Sequence, residues 1–256
     1  EKLLERLAKK NFNVPLLWCM GNHDGESDST PINTKAQQYE RLIAPFKDRW
    51  NAVTEENKCY YYKDLGYNVR LIALDQFDSM DRPSNQDLGG WTMSNAQIQW
   101  FIETLQDAND KGLHIIINSH TVPSGTASQK GKPITEILQA FKNGTTVSNT
   151  YEGQGAYPSI TVDATFAKKG NFITFLAGHD HRESTGMNEV GRYKIASFAG
   201  NRHNQDGFLR IIGTPTEHNF DIVIVDTNAR KLRTFRIGAS YTPDGNRNSS
   251  ELELEY

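Results

Sequence analysis

NFITFLAGHDH, residues 171–181, decides how this chain is read. A strand-like apolar run, with Phe172, Ile173, Phe175 and Leu176, passes directly into Gly178-His179-Asp180-His181. A short apolar run closed by a turn signal marks a strand buried on both faces, as in a parallel sheet. Glycine at 178 lets the backbone approach closely, and histidines at i and i+2 point to one side where the chain stays extended. Imidazoles placed in this way suit zinc, iron, manganese and similar ions.

Two other apolar runs end similarly. LHIIIN (113–118) is followed by Ser119-His120, and VPLLWCM (14–20), read as a strand, by Gly21-Asn22-His23-Asp24. Either alone would be an ordinary turn or a surface histidine. Three together put polar clusters beyond the carboxyl ends of strands, where open α/β sheets bind their ligands. The residue types fit metal chemistry: an amide oxygen ligates a hard cation, an imidazole can act as general acid, and an adjacent carboxylate can orient that imidazole.

Working outward, strands and helices alternate, which predicts an α/β fold. A helix is expected near 35–46, and CYYYKDLG (59–66) with NVRLIALD (68–75) reads as an antiparallel hairpin ending in Asp75. SNAQIQWFIETLQDAND (94–110) is the clearest helix, with Ser94 and Gln97 as a capping box and Gly112 closing it. PITEILQAFKNG (133–144) predicts another, with Pro133 in its first turn. Residues 145–160 read as a polar excursion. RYKIASF (192–198), FDIVIVD (220–226) and KLRTFRI (231–237) read as strands, the last two joined as a hairpin through Thr227-Asn228-Ala229-Arg230. Residues 241–256 read as a polar tail, surface-bound or frayed. No repeat or boundary interrupts the chain, so 1–256 is read as one domain.

Lys and Arg number 28 against 31 Asp and Glu, a net charge of −3, so no global basic field draws nucleic acid or an anionic membrane. No apolar run approaches the roughly 20 residues of a membrane span. Cys19 and Cys59 read as buried free thiols. Trp18, Trp50, Trp91 and Trp100 read as packing residues, and His114 and His218 as surface residues. Asn201, Arg202 and His203, in the loop after RYKIASF, are candidates for substrate contact, and Asp180 and Arg182 for supporting the flanking histidines.

The order GNHD, then a lone His, then GHDH resembles the calcineurin-like metallophosphoesterase superfamily, whose blocks read Asp-x-His, Gly-Asp, Gly-Asn-His-Asp or Glu, His, and Gly-His-x-His. The last three match here residue for residue. The resemblance implies a two-sheet αββα sandwich and two divalent metal ions, Mn, Fe or Zn. It makes Asn22, His120 and His179 ligands of one ion and His181 a ligand of the other. His23 would face the phosphate, stabilising the transition state or protonating the leaving oxygen, with Asp24 fixing its tautomer. The implied activity is hydrolysis of a phosphate mono- or diester by a hydroxide bridging the metals, on a small-molecule or lipid phosphoester. The helix region 134–148, VDATF (162–166) and the end of the last hairpin resemble bacterial and phage-associated members.

The family's first two blocks have no counterpart: the sequence contains no Gly-Asp pair and no Asp-x-His. The chain opens at Glu1 inside an amphipathic pattern, EKLLERLAKKN, which reads as a helix entered partway. The expectation is therefore a chain lacking its first strand–loop units, with the acidic ligands upstream of Glu1 and the 1–256 segment alone inactive. A catalytically inactive binding or structural module and a single-metal hydrolase are the competing readings.

Overall fold

The computed structural model describes residues 14–22, 24, 34–78, 93–124, 128–153, 159–179, 184–195, 213–214, 219–238 and 252–256. The opening helix, His23, Asp180, His181, Arg182, Asn201, Arg202, His203, Trp91 and His218 lie outside them.

The predicted hairpin is present as β1 (Tyr61–Gly66) and β2 (Val69–Ala73), paired antiparallel. Tyr67 and Asn68 turn the chain, both in the left-handed region (φ 49° and 60°), as a two-residue turn matched to strand twist requires. From β2 the sheet grows by parallel addition of β3 (His114–Ser119), β6 (Asn171–Ala177) and β8 (Arg192–Ile195), with β7 (Ser184–Met187) antiparallel at the far edge. Sequence reading did not anticipate β7.

Both faces of this six-stranded sheet are covered. On one lie α3 (Asn95–Lys111) and α4 (Ser128–Asn143), whose Ile98, Phe101, Leu105, Ile137 and Phe141 pack with Ile115, Ile117 and Phe175. On the other, Val69, Ile116 and Ile173 meet Leu232, Leu252 and Leu254 of a three-stranded sheet ordered β11-β10-β9. Its strands are β9 (Asn219–Asp226), β10 (Lys231–Gly238) and β11 (Leu252–Glu255). The alternation of Ile115, Ile116 and Ile117 between the two faces explains why LHIIIN is apolar throughout. The result is the two-sheet α/β sandwich that the sequence predicted.

Several local expectations change. The helix at 35–46 is two helices, α1 (Lys35–Leu42) and α2 (Ala44–Trp50), broken at Ile43. Pro45 explains the break, since it has no N–H to donate and its ring crowds the preceding turn. VPLLWCM forms no strand; it is held by side chains, with Met20 buried against Tyr39, Ile43 and Tyr61, and the Tyr61 hydroxyl donating to the Trp18 carbonyl at 2.6 Å. Pro133 sits inside α4, which begins a turn and more earlier, at Ser128. The excursion contains β4 (Thr146–Tyr151), paired with β5 (Ile160–Thr165), and Tyr151, Ile160, Val162 and Ala164 close over the helices. The end of the polar tail is not frayed. Leu252 and Leu254 face inward as β11, while Glu253 and Glu255 pair outward with Arg233 and Lys231.

His114 is not a surface residue: it is 8% exposed and its Nδ1 lies 2.8 Å from the Tyr256 hydroxyl. Trp18 packs edge-on against Phe46 and Trp50, and Trp100 lies in the core against Tyr60, so these three serve as packing residues. Cys19 and Cys59 are free thiols; Cys59 is buried as expected, Cys19 keeps part of its surface exposed, and desolvation pushes both up to about 12. Among the described residues, no helix is long and apolar enough to cross a membrane.

Candidate metal centre

β3 and β6 are adjacent and parallel, with Ser119 opposite Ala177, so the residues just past their ends are brought side by side. His120 and His179 occupy those positions. The Gly178 N–H donates to the His120 carbonyl at 3.0 Å and ties the two strand exits together. His179 then adopts φ 69°, a left-handed conformation that costs a non-glycine residue about 1 kcal/mol or more. Strain of this kind persists where the surroundings fix a side chain for a purpose.

The cluster after VPLLWCM, though no strand precedes it, reaches the same place. Asn22 is 3% exposed, and its Oδ1 lies 2.7 Å from His120 Nε2. His179 Nδ1 lies 3.0 Å from that same nitrogen, the two rings meeting edge to face at 4.9 Å between centroids. Gly21 makes this approach possible: a Cβ there would come within 3.0 Å of His120 Nδ1 and Cε1. Asp24 Oδ2 accepts the Gly21 N–H at 2.6 Å, closing the turn that presents Asn22.

Three lone-pair-bearing atoms thus converge, and one ring nitrogen faces both of the others. A single imidazole proton can serve one of those contacts in the neutral ring, not both. The arrangement suits a cation better. Donors about 2.1 Å from a common ion at right angles are about 3 Å apart, the spacing found here. Among the described residues no group of three or more His, Cys, Asp or Glu side chains is placed to hold a metal; the set is two imidazoles and an amide oxygen.

Behind His120 stand residues that sequence reading did not single out. Gln76 Oε1 accepts the Thr121 N–H at 2.7 Å and the Thr121 hydroxyl at 3.2 Å, and the Phe77 ring lies 5.8 Å from the His120 ring. Asp75, fully buried, is paired with Lys35 at 2.7 Å. Gln97, expected to complete a capping box with Ser94, instead clamps the Asp75 backbone, accepting its N–H at 2.9 Å and donating to its carbonyl at 2.7 Å. Burial raises Asp78 above the ordinary carboxylate value, and the Ser94 hydroxyl donates to it.

Fold and cluster together define a class: a two-sheet α/β sandwich with nitrogen and oxygen donors gathered beyond its parallel strands. The calcineurin-like phosphoesterase family matches residues 1–183, and the chain belongs to it. No curated protein matches the sequence. Among solved structures, the chain resembles a dimetal phosphatase from Danio rerio at 12% identity, with a TM-score of 0.53 over 93% of this chain and 71% of that one. At this identity the likeness is one of fold.

Proposed function

We propose that the protein is a metal-dependent phosphoesterase, hydrolysing a mono- or diester of a small molecule or lipid with two divalent ions, Mn, Fe or Zn. The observation that supports this reading is that Asn22 Oδ1 and His179 Nδ1 lie 2.7 and 3.0 Å from His120 Nε2, beside the exits of β3 and β6. Those three would hold one ion, and His181 would contribute to the second. When bound, such ions supply Lewis-acid clamping of the phosphate and bring the pKa of water toward neutrality.

The chain's own residues have the remaining work. Asn22, buried and presented by the Gly21–Asp24 turn, contributes an oxygen whose position is fixed before any ligand arrives. His120, bounded by the Gly21 backbone and Phe77, aims Nε2 at the shared point. His23 would protonate the leaving oxygen or stabilise developing charge, with Asp24 holding its tautomer. Asn201, Arg202 and His203 would contact the substrate.

The test is a panel of aryl phosphate mono- and diesters assayed with Mn, Fe and Zn on the full-length protein. His23→Ala should cut turnover while leaving metal binding intact, and His179→Ala should lose the metal. Metal binding without hydrolysis of any ester would favour an inactive binding module. Saturation at one ion per chain would favour a single-metal site.

A further inference from the structure

We propose that Gln76 and Phe77 are positioning residues for His120, a role that rests on the metal-centre reading above. No strand ladder reaches His120, so its ring direction must be set by contacts after β3. The following peptide is pinned at both polar groups. Its N–H donates to Gln76 Oε1 at 2.7 Å, and its carbonyl, that of His120, accepts the Gly178 N–H at 3.0 Å. One peptide further on, the Thr121 carbonyl accepts the Ser119 hydroxyl at 2.7 Å. Phe77 then bounds the imidazole itself.

Gln76 can do this because the segment carrying it is rigid. Asp75 is clamped through its backbone by Gln97 and through its carboxylate by Lys35, and that carboxylate also accepts the Phe77 N–H at 3.1 Å. Gln76 and Phe77 are 3% and 2% exposed, so water has little access to their side of these contacts. A chain of hydrogen bonds therefore runs from α1 and α3, through 75–77, to the backbone N–H that follows His120. Partners of this kind typically govern metal affinity by about 10- to 100-fold.

The experiment compares the whole chain with its Gln76→Met and Gln76→Glu variants. Nitrogen NMR of the histidine rings is recorded on metal-free protein, and Mn2+ binding is measured by calorimetry. Gln76→Met should move the His120 ring resonances, leave those of His114 in place and weaken Mn2+ by about tenfold. Gln76→Glu, which keeps the acceptor oxygen, should restore the His120 resonances. If Gln76→Met does not fold, Phe77→Leu carries the same readouts. Unchanged His120 resonances in the folded variants overturn the proposal. Failure of the unmodified chain to bind Mn2+ counts against the metal-centre reading instead, and the metal-free resonances still decide the positioning role.

Discussion

His120 Nε2 and His179 Nδ1, 59 residues apart in sequence, face each other at 3.0 Å. Adjacent parallel strands bring their backbones together, but the contact is completed only because His179 turns into the left-handed region. The chain therefore gives up local backbone stability to place a donor atom. That exchange can be measured.

His179→Gly should stabilise the metal-free protein by roughly 0.5–1 kcal/mol, because glycine adopts positive φ without the Cβ clash. The same change should abolish any metal binding that depends on this ring. Urea unfolding without metal, paired with Mn2+ calorimetry, checks both halves. Equal or lower stability would mean that the left-handed turn carries no strain.

Lys35→Met should cost about 3–5 kcal/mol, because it strands the Asp75 carboxylate in a site it cannot leave. The pair is not expected to contribute that much by itself. Lys35→Met combined with Asp75→Leu should recover much of the loss, since two apolar groups need no desolvation offset. A double-mutant cycle by chemical denaturation separates these terms. If the double variant is as unstable as the sum of the singles, the two residues are uncoupled.

Much of the fold was legible because its signals are local. The hairpin of 59–75, the helix from Ser94 to Gly112, and the doubly buried LHIIIN and NFITFLA strands are each carried by short-range patterns. What misled was context. VPLLWCM has a strand's composition, yet its apolar residues are claimed by α1, α2 and Tyr61 rather than by a ladder. TVSNTY has no apolar alternation because β4 caps helices instead of filling a sheet core. LELE was hidden in a polar tail, and its meaning appears only opposite the basic residues of β10. At the site, Asn22, His120 and His179 were readable from strand exits. Gln76 and Phe77 were not, because their roles depend on Thr121 and His120, 45 and 43 residues away along the chain.

The two cysteines should be silent in the native protein. Burial pushes each thiol up to about 12, and for Cys19 the carboxylate of Asp24 adds to the shift, for Cys59 that of Asp75. At pH 8 almost no thiolate is present to react. A thiol-reactive chromophore should report no fast-reacting cysteine before denaturation and two after it. Rapid labelling of either in the folded chain would contradict the packing of the 14–22 segment.

The joint between the two sheets should weaken in mild acid through His114. Burial first, and then the Arg230 guanidinium, hold this imidazole below its ordinary value of 6.5. Near Arg230 the ring meets the Tyr256 hydroxyl, and Arg230 itself donates to the Tyr256 carbonyl at 2.8 Å. Because the folded state binds the proton less readily than the unfolded chain, unfolding takes up protons as pH falls below 6.5. The stability supplied by neutral His114 is therefore complete above that pH and is lost on the way down to its folded value. His114→Gln keeps a side chain able to hydrogen-bond Tyr256 but cannot titrate. Unfolding free energy measured from pH 7.5 to 5 should fall less steeply in that variant than in the parent. Identical slopes would show that His114 takes up its proton equally in both states and that the joint is insensitive to pH at this residue.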